Sequence, residues 1–434
     1  MRQKIPTPLS SKQVSASRRQ VLKGLTFASA SLLLPSFATS FARAETSQDG
    51  FARARVLRNT DREGNTIAAL NAINSDQPIL SIDTASNLQL AIMQYEQIVA
   101  KGGWKSLSKN VHGLIVGNKR NGVNALRNRL IASGDVQSPK LSDKDLFDEH
   151  LDAGLRFFQA RHGLVISGKV DVATYYTLNV SAQDRLAQLR LNSLRVESLA
   201  SSLSDRYVVV NIPAASIEAI DFSTVTRRHT AVVGRADRQT PILSSKIHQI
   251  NFNPYWHVPK SIIRKDLTKY MQEDPEYLSK YRIIIYDNAR NIIDPKTIDW
   301  TTDEAVKYAF RQEPGAENSL GRVRMNFANK HSVYLHDTPG KSLFGQNRRF
   351  NSSGCVRVED VDEMVSWVLQ NNEGWDLPAV NAMFNSGERV DVSVNQPPPI
   401  HMTYITGWAN NQGTVSFRDD IYEFDKAGKV IFET

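Results

Sequence analysis

Two neighbouring stretches carry most of the information in this sequence: Tyr334-Leu335-His336-Asp337-Thr338-Pro339 and Ser352-Ser353-Gly354-Cys355-Val356-Arg357-Val358. Cys355 is the single cysteine among 434 residues, and His336 lies nineteen positions before it. A thiol is a strong nucleophile only as the thiolate, and a neighbouring imidazole raises the thiolate fraction. The small residues before Cys355 predict a tight turn whose backbone N–H groups face an oxyanion. Composition alone favours a simpler interpretation, in which Cys355 is a small buried apolar residue and His336 is a core histidine.

The order of the motif residues makes the catalytic interpretation the stronger one. A His, fifteen intervening residues and then Ser-x-Gly-Cys-Val-Arg resemble the active-site signature of the L,D-transpeptidase catalytic domain, a family of cysteine enzymes that cross-link peptidoglycan. Residues 232–235 with Thr240-Pro241, residues 253–259 and residues 320–323 resemble the larger, Gram-negative periplasmic branch of that family. Many members carry His directly before Gly-Cys, whereas this chain has Ser353. His336 is therefore the only base candidate in the motif.

The resemblance implies an acyl transfer in two steps. Cys355 attacks the carbonyl of the third residue of a tetrapeptide stem, D-alanine leaves, and an amine of a second stem resolves the thioester into a 3→3 cross-link. His336 is the expected proton donor and acceptor, with an imidazole pKa of about 6.5. The backbone N–H groups of Gly354 and Cys355 are the expected oxyanion donors.

Other residues of these motifs are candidates for binding or orienting groups. The candidates for holding the anionic stem or lining its groove are Arg357, Tyr334, Trp256 and Arg322. A surface ion pair is the alternative role for Arg357. Asp337 is expected to orient His336 through its backbone carbonyl rather than its carboxylate, and Ser353 is a second orienting candidate.

Three functions are compatible with these motifs. Besides transpeptidation, water can resolve the same thioester, which makes the protein an L,D-carboxypeptidase, and a non-catalytic wall-binding protein is the third possibility. The sequence contains no P-loop, no nicotinamide-type glycine fingerprint and no His-Glu-x-x-His, and its nine histidines show no metal-ligand spacing. We therefore expect peptidoglycan stem peptides as partners and neither a cofactor nor a metal. The family resemblance also implies that carbapenems acylate Cys355.

The first 44 residues predict an export signal. Ser17-Arg18-Arg19-Gln20-Val21-Leu22-Lys23 resembles a twin-arginine motif, a short apolar run follows, and Ala42-Arg43-Ala44 predicts cleavage after Ala44. The resemblance implies the twin-arginine machinery as a partner, a periplasmic location and no stable membrane anchor after cleavage. An uncut anchor and a disordered basic tail are the alternatives.

The basic character of the chain comes largely from this first segment. The formal net charge of +8 includes seven basic and no acidic residues before residue 45, which leaves the rest of the chain near +1. The high pI therefore gives no support to nucleic-acid binding, and we expect no nucleic acid as a partner.

The hydrophobic pattern predicts a multidomain α+β protein. We expect a helical scaffold at residues 45–121 and 181–205, a three-helix module at 122–180, a mainly β catalytic domain at 206–395 with a lid-like insertion at 262–319, and an extension at 396–434. Phe157-Phe158-Gln159-Ala160-Arg161-His162-Gly163-Leu164 resembles part of a peptidoglycan-binding module, although such a bundle can equally be a spacer. The insertion can equally be an inert surface excursion. We assign no chemistry to the extension.

Overall fold

A computed structural model describes residues 76–137 and 143–430 of the chain. The predicted export segment, with its cleavage site after Ala44, lies outside the described residues, as does the start of the predicted scaffold. No helix within the described ranges is long and apolar enough to cross a membrane. The helices, numbered along the chain, are α1 Ile82–Ala100, α2 Val123–Ala132, α3 Glu149–Arg161, α4 Val172–Leu178, α5 Ala182–Ala200, α6 Lys260–Ile262, α7 Thr268–Glu273, α8 Tyr277–Lys280, α9 Val361–Val368 and α10 Leu377–Ser386. Shorter helical turns lie at Lys109–Val111, Ile263–Leu267, Pro295–Thr297, Asp303–Lys307 and Lys341–Leu343.

The two long helices, α1 and α5, pack against each other and form the scaffold. Each begins at a serine cap, because Ser81 Oγ accepts from the Thr84 N–H and Ser181 Oγ accepts from the Asp184 N–H, both at 3.0 Å. These bonds satisfy N–H groups that lack a partner in the first helical turn.

Helices α2, α3 and α4 form a small unit with its own apolar core. Asp148 and Asp171 cap α3 and α4 by accepting from the N–H groups of Leu151 and Thr174, at 2.8 and 2.7 Å. The shared core contains Val123, Leu126, Leu130, Leu151, Leu155, Phe158 and Leu178. Peptidoglycan binding by this unit stays a prediction.

A ten-stranded, barrel-like sheet forms the catalytic domain. Its strands are β1 Arg206–Asn211, β2 Ser216–Asp221, β3 Thr224–Gly234, β4 Leu243–Phe252, β9 Val323–Phe327, β10 Leu335–His336, β11 Phe350–Ser352, β12 Val356–Val358, β13 Val390–Ser393 and β14 Pro399–Thr403. They follow the order β11-β3-β12-β10-β9-β4-β14-β1-β2, β13 pairs with β4, and pairing of β2 with β3 closes the path. The predicted mainly β catalytic domain is thus confirmed.

Strand β1 of the sheet is apolar on both faces, because helices pack against each face. Side chains alternate along a strand, so Val208 and Val210 of β1 point into the sheet core that α9 and α10 also fill. Tyr207 and Val209 point the other way, into a cluster shared with α1 and α5. The run Tyr-Val-Val-Val is therefore buried throughout and serves two cores at once.

The insertion, together with the strand β5 that precedes it, forms a second, four-stranded sheet with the order β5-β8-β6-β7. Its strands are β5 Trp256–His257, β6 Ile283–Tyr286, β7 Ile292–Ile293 and β8 Ala309–Gln312. Helices α6 to α8 pack on it around a separate core that includes Ile263, Leu267, Leu278 and Phe310. The charged pattern of residues 303–311 predicts a helix, and this prediction is wrong. A single turn at Asp303–Lys307 leads directly into β8, because Phe310 alternates inward as a strand residue.

The C-terminal residues belong to the main sheet. β14 lies between β1 and β4, parallel to the first and antiparallel to the second. A following hairpin, β15 Gly407–Ala409 and β16 Val415–Phe417, packs against the scaffold helices. The prediction of a separate extension from residue 396 does not describe β14, whose residues Ile400 and Met402 fill the sheet core.

Candidate active site

The pairing of two short strands brings the cysteine and histidine motifs together. β10 and β12 are parallel neighbours, with Leu335 opposite Val356 and His336 opposite Arg357. Cys355 lies immediately before β12, where the Val356 N–H donates to the Tyr334 carbonyl at 3.1 Å. Residues far apart in sequence thus become lateral neighbours at the mouth of the sheet.

One cavity of about 430 Å³ contains most of the predicted site residues. Its walls come from the cysteine loop, from β10 and from the insertion, which contributes Tyr270, Tyr277 and Tyr281. The predicted site residues that line it are Cys355, His336, Tyr334, Trp256, Arg357 and Ser353.

Arg322 does not line this cavity, and its role in holding the stem stays a prediction. It lines a neighbouring cavity of about 600 Å³, together with Asp337. The Arg322 Nε lies 3.4 Å from an Asp337 carboxylate oxygen, and its guanidinium lies 4.5 Å from the ring centre of Phe384. The ion pair and the aromatic contact hold the side chain away from Cys355. The two cavities share Glu317 and Pro339.

The tautomer of His336 follows from its backbone contact. Its Nδ1 donates to the carbonyl of Asp337, which can only accept, so Nε2 is left without the proton and can act as a base. The Asp337 carboxylate is engaged elsewhere, with the Lys341 ammonium and the Arg322 N–H. Asp337 therefore contacts the imidazole through its carbonyl, as the sequence suggested.

The electrostatics favour a neutral imidazole in the resting site. His336 is 5% exposed, and burial together with the charges of Arg357 and Arg324 lowers its pKa to about 3. The expected pKa of about 6.5 does not describe this buried group. At neutral pH His336 is thus an unprotonated base in the cavity that Cys355 also lines.

Cys355 is correspondingly neutral. Burial raises the pKa of its thiol, while contacts from the Tyr334 backbone N–H and hydroxyl and the charges of Arg357 and Arg324 oppose this shift. Burial likewise raises the pKa of the Tyr334 hydroxyl, and the nearby Trp256 opposes this shift. This environment favours removal of the thiol proton during attack over a preformed thiolate.

The cysteine loop offers one free oxyanion donor rather than two. The Gly354 N–H donates to Ser352 Oγ at 3.1 Å, and the same hydroxyl donates to the Cys355 carbonyl. The Gly354 N–H is therefore occupied within the loop, which corrects its expected role. For the Cys355 N–H, the described part of the chain supplies no acceptor.

Three arginines line this cavity, Arg235, Arg238 and Arg357, and they outnumber its two acidic residues, Asp266 and Glu317. The Arg357 Nε is buried and has no hydrogen-bond partner among the described residues. Arg238 donates to Ser353 Oγ at 2.8 Å and to Asp266 of the insertion, with one contact at 2.9 Å. Sequence reasoning missed Arg238, because nothing except its nearness to the Thr240-Pro241 motif distinguishes it among 53 basic residues.

Comparisons with known proteins agree with this description. Residues 205–392 match the YkuD family, the L,D-transpeptidase catalytic domain. A putative L,D-transpeptidase of Haemophilus influenzae is 33% identical over 220 residues, which cover 50% of this chain but only 44% of that protein. The chain therefore spans less than half the length of this relative.

Two solved structures show a weaker likeness. An L,D-transpeptidase from Mycobacterium smegmatis is 14% identical and matches over 46% of this chain and 58% of its own, with a TM-score of 0.23. One from Stackebrandtia nassauensis is 11% identical and matches over 69% of this chain and 97% of its own, with a TM-score of 0.24. Superpositions this poor add nothing to the sequence match. On that match, residues 205–392 of this chain are similar to the YkuD family of L,D-transpeptidase catalytic domains.

Proposed function

We propose that this protein is a peptidoglycan L,D-transpeptidase that forms 3→3 cross-links through a thioester on Cys355. The observation that carries the proposal is the placement of the single thiol and His336 in one cavity, inside a domain of this family. The imidazole is held by the Asp337 carbonyl in the tautomer that a base requires.

In the first step His336 acts as a general base. Its Nε2 takes the proton from the Cys355 thiol while the sulfur bonds to the stem carbonyl carbon. The Cys355 N–H stabilises the charge on the carbonyl oxygen, an effect of about 3 kcal/mol for one such donor. His336 then protonates the amine of the departing D-alanine, the C–N bond breaks, and a thioester remains.

In the second step an amine of a neighbouring stem attacks the thioester. His336 takes the amine proton as the new C–N bond forms, and the C–S bond breaks. The proton then returns to the Cys355 sulfur, which regenerates the resting pair. If water attacks instead, the same sequence yields a trimmed tripeptide, the product of an L,D-carboxypeptidase.

Binding of the anionic stem follows from the positive charge of the cavity. Arg357 is half-buried, its Nε is buried without a hydrogen-bond partner among the described residues, and it lines the same cavity as Cys355. A partly buried cation of this kind favours an anionic ligand, because the ligand replaces the lost hydration. We therefore assign Arg357 to a carboxylate of the donor stem.

The insertion acts as a lid in this proposal. Its Tyr270, Tyr277 and Tyr281 line the same cavity as Cys355, and its Asp266 forms an ion pair with Arg238, which also contacts Ser353. The lid thereby excludes water and favours the amine acceptor. Export through the twin-arginine machinery into the periplasm would bring the enzyme to its substrate.

The decisive experiment is mass analysis of sacculus fragments after incubation with the purified protein. Dimers with 3→3 cross-links support transpeptidation, and tripeptides alone indicate carboxypeptidase activity. His336→Ala should lower the rate of product formation by about two to four orders of magnitude. Unchanged fragments with folded wild-type protein would point to a non-catalytic wall-binding protein.

A further inference from the structure

A tyrosine outside the matched family domain reaches the cysteine loop. Tyr422 lies in the C-terminal segment beyond residue 392, is 5% exposed and packs within the core of the main sheet. Its hydroxyl donates to the Gly234 carbonyl at 2.6 Å and accepts from the Thr240 N–H at 3.1 Å. These two bonds attach the C-terminal segment to the loop that follows β3.

Thr240 extends this network to the residue before the nucleophile. Its hydroxyl accepts from the Gly234 N–H at 2.8 Å and donates to the Gly354 carbonyl at 2.9 Å. Thr240 is 1% exposed, so water cannot readily replace these bonds. A continuous set of hydrogen bonds therefore joins Tyr422 to Gly354 through Thr240.

The Gly354 carbonyl matters because of the planarity of the peptide bond. The C=O of Gly354 and the N–H of Cys355 belong to one trans peptide unit and point in opposite directions. Whatever fixes the carbonyl also aims the N–H, which is the one free oxyanion donor of the loop. Gly354 itself has a φ of +113°, a conformation that leaves the loop dependent on such external bonds.

We propose that Tyr422 is a positioning residue of the acyl transfer, which holds the Gly354–Cys355 peptide in its productive orientation through Thr240. The expected effect of Tyr422 on the acylation rate rests on the proposed function. Its expected effect on the rigidity of the cysteine loop does not depend on that function.

Tyr422 is itself firmly held. Its ring stacks on Tyr404 with centres 5.6 Å apart, and its backbone N–H donates to the Tyr404 hydroxyl at 2.8 Å. Removal of the Tyr422 hydroxyl alone should therefore leave the ring and the fold in place. Tyr422→Phe is the variant that separates positioning from packing.

Tyr207→Phe is a matched control. Tyr207 is 3% exposed and its hydroxyl also donates to a backbone carbonyl, that of Leu80 at 2.7 Å. It lies in the cluster between the sheet and the scaffold helices, and none of its hydrogen bonds reaches the cysteine loop. Both variants remove one buried hydroxyl and keep the ring, so an effect that comes only from lost stability should appear in both of them.

The kinetic test measures covalent acylation of Cys355 by a carbapenem, followed by intact mass. We expect Tyr422→Phe to lower the maximal acylation rate about 10- to 100-fold. The carbapenem concentration that gives half of this rate should not change, and the reaction should still end at one drug equivalent per protein. Partial unfolding would instead lower the final extent. Thr240→Val should reproduce the slow rate, and Thr240→Ser, which keeps the hydroxyl, should restore it.

The second readout is hydrogen exchange of the peptide that covers residues 352–357, measured without any substrate. We expect faster exchange in Tyr422→Phe and Thr240→Val than in the wild type and Tyr207→Phe. If the peptide that covers residues 352–357 exchanges in Tyr422→Phe at the wild-type rate, the inference is overturned. Equal slowing of acylation in Tyr207→Phe and Tyr422→Phe would also overturn it. A wild-type protein that no carbapenem acylates contradicts the proposed function, and the exchange comparison still decides this inference.

Discussion

His336 and Arg357 are register partners on adjacent parallel strands, so a guanidinium lies beside the imidazole proposed as the base. The charge of Arg357 and the burial of the ring together lower the pKa of His336 to about 3. The arginine proposed to bind the substrate carboxylate thereby also keeps the base unprotonated. A bound carboxylate would neutralise this charge and make the imidazole more basic during catalysis.

The first prediction concerns the pH dependence of acylation in the free enzyme. Since the imidazole pKa is lowered, proton uptake that blocks the base occurs near pH 3 rather than near pH 6.5. The second-order rate of carbapenem acylation should therefore not decline as the pH falls from 7.5 to 5. A loss of half the rate near pH 6.5 would contradict this account.

Arg357→Gln provides the control for that profile. Removal of the neighbouring charge should raise the pKa of His336, so the acid limb should move towards neutral pH. Glutamine keeps much of the side-chain volume and polarity, which limits the structural change. An identical acid limb in both proteins would show that Arg357 does not act on the imidazole.

The second prediction concerns the nucleophile. A carbapenem should add one drug equivalent to the wild-type mass at Cys355, because the lactam carbonyl imitates the stem carbonyl. Cys355→Ser should stay unmodified, since a serine hydroxyl beside His336 lacks the low pKa of a thiol. The single cysteine makes the test unambiguous. Modification of the serine variant at the wild-type rate would place the nucleophile elsewhere.

The third prediction concerns the contact between insertion and cysteine loop. Arg238→Lys keeps the charge but loses the forked contacts with Asp266 and Ser353, so turnover with stem peptides should fall about tenfold. Arg264→Lys is the matched control, because its partner Asp303 forms an exposed pair on the same insertion. Turnover of stem peptides by the Arg264→Lys control should stay within about twofold of the wild-type rate. Equal rates in both variants would show that the Arg238 contact has no role in turnover.

The fourth prediction concerns stability in acid. His162 lies between the rings of Phe158 and Phe417, and burial with neighbouring arginines lowers its pKa well below the usual value. The unfolded chain takes up a proton near pH 6.5 and the folded chain does not, so stability decreases as the pH falls below about 6.5. The melting temperature should therefore be lower at pH 5 than at pH 7.

His162→Phe tests the origin of this decrease. The variant removes the titrating group and keeps an aromatic ring between its neighbours. The difference in melting temperature between pH 7 and pH 5 should become smaller, whatever the absolute stability of the variant. A difference equal to that of the wild type would assign the acid sensitivity to other groups.

The fifth prediction concerns export. Replacement of Arg18 and Arg19 by Lys should retain the protein in the cytoplasm, because the two ammonium groups lack the planar fork of the guanidinium pair. Fractionation followed by immunoblotting measures the distribution. Unchanged periplasmic yield of the double Lys variant would refute a twin-arginine signal.

Much of the catalytic domain was predictable because its motifs are local. The β-branched run at Tyr207–Asn211 predicts a strand, and the structure places β1 there. The helix prediction for residues 303–311 was wrong because this segment is short and charged. Only tertiary pairing with β6 makes its second half a strand. The pattern around Met402–Thr406 predicts a short strand, which overlaps β14, but its place in the main sheet was not predictable, since its partners β1 and β4 are distant in sequence.

The sequence by itself determined the family resemblance and the candidate chemistry: one thiol, a histidine nineteen residues before it and a Gly directly before the thiol. The tertiary structure decided which groups meet. It separated Arg322 from the cavity of Cys355, assigned the tautomer of His336 and brought Arg238 and Tyr422 to the cysteine loop. The physical reason is that burial, pKa and hydrogen-bond partners depend on contacts between residues far apart in the chain, and no local pattern records such contacts.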